Sequence, residues 1–162
     1  LPVGAEVMTM TSVTLDTIGL SKEINESGNY DTVRSKFAKM DKAKNGREMK
    51  RLGAAPEWTV GSVHAATQTG SLLIASNSGS QLPAYAYGAD HVIWVVGGQK
   101  VVSDVNEGMK RIYEYVLPLE SERANRAYNI TTGSFVSKLL IINKEVQPGR
   151  MRVIFVNELL GF

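Results

Sequence analysis

A chain of 162 residues is long enough for one domain with a substantial core. Its 18 Lys and Arg against 16 Asp and Glu leave a net charge of +2, with the signs interspersed, which gives no signal for nucleic acid or a membrane surface. The chain has no cysteine, so disulfides, thiolate metal sites and a cysteine nucleophile are excluded.

Residues 5–10 are short and apolar and read as a buried strand. A Thr11-Ser12-Val13 loop then leads into a helix in which Leu15, Ile18 and Ile24 recur near helical spacing, with Thr14 as the expected N-cap and Ser27-Gly28 as the stop. The charged stretch 30–52 favours helix, with Val33, Phe37 and Met40 as its buried stripe, and Asn45-Gly46 predicts a break or kink. Basic residues gather between Arg34 and Arg51, diluted by Asp41 and Glu48, and read as a solvated helix face.

The centre of the chain is residues 59–101. Strands are expected over 60–66 and 71–75, joined by a Thr67-Gln68-Thr69-Gly70 turn. The second of these runs into Ser76-Asn77-Ser78-Gly79-Ser80 and a short helix over 81–87, where Pro83 suits the first turn. Residues 91–96 are unbroken in apolar character, as in a central parallel strand, and Gly97-Gly98 closes it. Residues 104–117 make the clearest helix, with Val105, Met109, Ile112 and Val116 on one face and Pro118 as the expected end. A second helical stretch follows over 119–128. Asn129-Ile130-Thr131-Thr132-Gly133-Ser134 is another hydroxyl-and-glycine loop. Strands over 138–143 and 151–156 then read as a hairpin turned by Pro148-Gly149. The pattern is α/β: a mainly parallel sheet with a late antiparallel hairpin.

A strand ending in a polar loop and passing into a helix leaves backbone N–H groups unpaired, which suits an anion. Ser12, Thr14, Ser76, Asn77, Ser78, Gly79 and Ser80 are therefore the candidates to line a cleft, with Lys100 supplying positive charge. That set fits a small carboxylate or phosphate. No metal motif, GxGxxG, GxxxxGK[ST] or flanked GxSxG is present. His91 opens the most apolar strand and reads as structural, because Asp90 beside it faces the other side of a sheet. His64, among small polar neighbours, is open to either a structural or a functional role. Glu57 and Glu158 are lone acids near segment ends, with solvated side chains as the default.

Four segments in this order resemble the LUD domain family, the LutC/YkgG-type lactate utilisation proteins: LPVGAEVMTMTSVTLDTIGL, TGSLLIASNSGSQLPAYAYGADHVIWVVGGQKVV, EGMKRIYEYVLPLES and PGRMRVIFVNELLGF. The resemblance implies a three-layer α/β/α sandwich like that of the NagB/RpiA/CoA-transferase group, spanning residues 1–162 as a single domain. It also implies a bacterial, cytoplasmic role in oxidising L-lactate to pyruvate beside separate iron–sulfur subunits, with homo-oligomer formation open. The chain begins at Leu1-Pro2 without the helix and first strand found in many members, so an upstream segment is expected to be missing. Some relatives carry a cysteine cluster where this chain reads AYNITTGSFVSK. No cofactor is expected on this chain, and any iron–sulfur cluster is assigned to a partner. Two other readings stand beside this one. A stand-alone isomerase or acyl-CoA enzyme requires Glu57 or Glu158 beside the 76–80 loop, and a non-catalytic scaffold requires an exposed apolar patch. No apolar run approaches the ~20 residues of a membrane span, and no signal peptide opens the chain.

Overall fold

The computed structural model describes residues Leu1–Phe162. Five strands, β1 (Glu6–Thr9), β2 (Asp31–Thr32), β3 (Trp58–Gly61), β6 (His91–Gly97) and β9 (Met151–Val156), form a fully parallel sheet in the order β2-β1-β3-β6-β9. The strands β4 (Ala65–Thr67), β5 (Leu72–Ser76), β7 (Val101–Val102) and β8 (Lys138–Ile142) form a second, mixed sheet in the order β7-β4-β5-β8.

Alternation along the strands explains how two sheets and their helices stack. Val7, Trp58, Val60 and Val95 face one way, onto Leu15 and Ile24 of α1 (Val13–Thr17) and α2 (Leu20–Glu26). Met8, Val92, Trp94 and Val96 face the other way. They meet Val33 of α3 (Val33–Ala38), Leu52 of α4 (Lys42–Ala54), and Leu72 and Ile74 of β5. The opposite face of β5, at Leu73, packs with Ala65 and Ile112 under α5 (Val105–Arg111). The run 72–75 is apolar throughout because β5 is covered on both faces. The molecule is α/β with helices layered about its sheets, as expected.

Several expected boundaries moved. The late strands both form, but not as a hairpin: β8 pairs antiparallel with β5, and β9 pairs parallel with β6. A hairpin turn needs its strands in one sheet, and the bends at 143–150 carry the chain from one sheet to the other. Ser12, not Thr14, caps α1, its Oγ accepting from the Leu15 N–H at 3.4 Å. The first helix breaks at Gly19, whose φ of 71° is left-handed. The break in 30–52 falls at Asp41, which caps α4 through Ala43 N–H, and Asn45-Gly46 lies inside that helix. The expected strand 60–66 is divided, with β3 in one sheet and β4 in the other. Pro118 does not end the long helix. A π-helical turn, Ile112–Val116, joins α5 to α6 (Leu117–Tyr128), with Leu117 N–H bonded to Ile112 O. Proline has no N–H to place, and Pro118 falls just past that wider turn, in the first turn of α6.

Candidate functional site

Within the parallel sheet the chain adds β2 on one side of β1 and then β3, β6 and β9 on the other, so its direction of growth reverses between β1 and β3. Loops leaving the carboxyl ends of two such strands diverge and leave a crevice, the usual ligand position in open α/β sheets. A cavity of about 370 Å³ lies there. Thr11, Ser12 and Thr14 line it after β1, and Ser62 and His64 line it after β3.

The structure brings Ser12, Thr14, Ser76, Asn77, Ser78, Ser80 and Lys100 onto the wall of this one cavity. Gly79 is the exception. It is not a lining residue, and its φ of +82° turns its α-carbon against the Lys138 side chain, where a Cβ would overlap the aliphatic stem. The 76–80 loop also satisfies more of its own backbone than the sequence implies. Gly79 N–H donates to Ser76 Oγ at 2.9 Å, and Ser80 N–H donates to Ser78 Oγ at 3.3 Å. The uncharged polar part of the wall is chiefly hydroxyls, with the side-chain amides of Asn77 and Gln81, rather than bare backbone donors.

Lys100 lies at the end of a 3₁₀ turn, Gly98–Lys100, that follows β6, and it is 2 % exposed. Its Nζ donates to Thr14 Oγ1 at 2.8 Å, Ser62 Oγ at 3.2 Å and Val63 O at 3.1 Å, with no carboxylate partner. Thr14 in turn donates to Leu160 O at 3.0 Å, tying the residues after β9 into the same network. Burial, and secondarily the charge of Arg111, pulls the Lys100 ammonium down to about 7. His64 accepts the Ala75 N–H on Nδ1 at 3.1 Å, so the proton of its neutral ring is assigned to Nε2. Burial, with Lys100 and Arg111 adding to it, lowers His64 to about 4. Arg111 donates Nε to His64 O at 3.0 Å and stacks over Tyr115, while one of its terminal nitrogens is buried without a partner.

On the far wall the sequence offered less. Arg123 and Glu120 line the cavity as a two-bond pair at 2.7 Å, with Tyr128 beneath the guanidinium. Nothing in a polar helical stretch singles out that pair. The second hydroxyl-and-glycine loop was visible as a motif, and its Ile130, Gly133 and Ser134 close the same cavity. His91 lies elsewhere, its ring stacked on Trp58 at 4.1 Å. Glu57 bonds Glu6 N–H and the Trp58 indole at the amino end of β3, and neither Glu57 nor Glu158 lines the cavity. No group of three or more His, Cys, Asp or Glu is gathered to hold a metal ion. No helix is long and apolar enough to cross a membrane.

A parallel sheet whose direction of growth reverses, with a polar crevice at its carboxyl edge, defines an open α/β fold. The LUD domain model matches residues 1–156, and the chain belongs to that family. A crystal structure of a DUF162 family protein from Deinococcus radiodurans is similar over 95 % of this chain and 88 % of that chain, with 13 % identity and a TM-score of 0.45. No curated protein matches the chain.

Proposed function

We propose that this LUD domain binds a small organic carboxylate or phosphate at the β1/β3 crevice and serves lactate utilisation, acting beside separate iron–sulfur subunits in the oxidation of L-lactate to pyruvate. The observation that carries the binding reading is Lys100. A buried cation surrounded only by neutral acceptors is costly to the fold, and an anion entering the adjoining cavity supplies the missing charge. The hydroxyls of Ser12, Ser76, Ser78 and Ser80 surround such a ligand with donors whose hydrogens rotate to suit it. Lactate utilisation rests on family membership, and the iron–sulfur chemistry is assigned to partners because the chain has no cysteine.

Isothermal calorimetry with L-lactate, pyruvate and inorganic phosphate tests the reading. Binding of at least one, weakened about tenfold or more in the Ser78→Ala/Ser80→Ala double variant, is expected for lost charge-assisted hydrogen bonds. Absence of heat with all three would remove the ligand site. The stand-alone isomerase or acyl-CoA reading loses its stated requirement, since neither Glu57 nor Glu158 reaches the cavity.

A scaffold role is favoured by a different observation. Strand β9 is an outer strand of the parallel sheet, and Ile154 and Phe155, on its opposite faces, are 51 % and 57 % exposed. An iron–sulfur subunit docked along that strand would cover both faces. Co-expression with the iron–sulfur subunits, using Phe155→Lys, tests this. Unchanged co-purification would count against that surface.

A further inference from the structure

Lys100 is saturated with hydrogen bonds, yet its partners are arranged so that it works equally well without its third proton. The Thr14 hydroxyl spends its only hydrogen on Leu160 O, so it accepts from Lys100, and Val63 O can only accept. The Ser62 hydroxyl is different. It accepts from the ammonium at 3.2 Å, and its own hydrogen, otherwise directed to Val63 O at a long 3.4 Å, can turn to the lone pair of a neutral amine. The site therefore holds either protonation state with no buried polar atom orphaned. A purely structural lysine, anchored by a carboxylate, has no such latitude.

We infer that Lys100 is a nucleophile that forms an imine with the carbonyl carbon of a small 2-oxo acid bound in the β1/β3 crevice. This rests on the proposed anion-binding reading, which places the acid's carboxylate among the hydroxyls of the 76–80 loop and turns its carbonyl toward the lysine wall. In the step, the Nζ lone pair forms a C–N bond and the carbonyl π pair moves to oxygen. The oxygen then leaves as water, taking both hydrogens of the neutral amine, and C=N replaces C=O with no oxidant or reductant consumed. Ser62 is placed to pass protons between nitrogen and oxygen, and the Nε2–H of His64 is available in the same cavity as a donor to the carbonyl oxygen. Burial keeps a large share of the amine neutral near pH 7.

Reductive trapping tests this. The full chain is incubated with pyruvate and sodium cyanoborohydride near neutral pH, and the adduct is mapped by peptide mass spectrometry. Calorimetry with pyruvate and with L-lactate, which has no carbonyl, runs in parallel. A single adduct at Lys100, competed away by L-lactate and absent from a folded Lys100→Arg variant, is expected. Ser62→Ala should bind pyruvate but form the adduct roughly a hundredfold more slowly, the scale of a lost proton-transfer group. Binding of both acids without any adduct at Lys100 would overturn the imine and leave the anion site standing. Labelling spread evenly over surface lysines would also overturn it. Absence of both binding and adduct would remove the ligand reading itself.

Discussion

The two edges of the parallel sheet treat buried charge in opposite ways. At the amino edge, Arg150 is 4 % exposed and fully provided for. It donates to Glu145 at 2.5 Å and to the backbone carbonyls of Ala84, Tyr85 and Ala89 at 2.9–3.1 Å. Beside it, Trp58 donates to Glu57 and stacks on His91. At the carboxyl edge, Lys100 is as deeply buried and has only neutral partners, with His64 and Arg111 adding positive or polar groups rather than acids. Arg150 completes a staple that holds the 84–88 turn against the sheet. Lys100 leaves an electrostatic demand open beside a cavity. Two cations of equal burial thus have different meanings, and the presence of an acid separates them.

The largest effect that sharpens this contrast is pH dependence. Lys100 and His64 both have folded values below their ordinary ones, so the unfolded chain binds more protons and stability rises with pH. The windows run from about 4 to 6.5 for His64 and from about 7 to 10.5 for Lys100. Each group contributes at most about 1.4 kcal/mol per pH unit inside its window. Urea melts near the two ends of the upper window should show a rise in the wild type that Lys100→Met flattens, with Lys100→Met the more stable protein at neutral pH. Equal slopes in the two proteins would mean the lysine is not carrying an uncompensated charge.

Arg150→Met breaks the other edge. It orphans three carbonyls and should cost about 2–3 kcal/mol, seen as a melting temperature lower by roughly 5–10 °C. A neutral result would place the staple's worth elsewhere. Gly61→Ala comes next. A Cβ there would overlap the Tyr85 hydroxyl at the end of β3, costing about 1–2 kcal/mol by overpacking, and Tyr85→Phe in the same chain should recover part of it. Smallest is Ser12→Ala, which removes a long cap bond at the cavity rim and should cost about 0.5–1 kcal/mol in thermal unfolding. A larger loss would show that Ser12 does more for the fold than cap α1.

Much of the carboxyl edge was legible because its residues are local to strand ends. Ser12 and Thr14 follow the apolar strand β1 and 76–80 follows β5, and the two polar loops converge because the two sheets stack face to face. Gly79 shows the limit. Composition marked it as part of the ligand loop, and only the approach of Lys138 from β8, 59 positions later, shows that it serves packing. Arg150 and the Arg123–Glu120 pair carried no signal at all, since Arg150 bonds distant backbone carbonyls and a loop acid, Glu145, and the pair is one helical turn of ordinary charges.

From the residues alone came the α/β class, most strands and helices, and the identity of the polar cluster, because alternation and helical spacing are local properties of the chain. Tertiary structure decided which sheet each strand joins. It separated the last two strands, carried the helix through Pro118, and left Lys100 rather than Arg150 without an acid. Those outcomes depend on which distant groups exclude water from one another, and no local pattern encodes that.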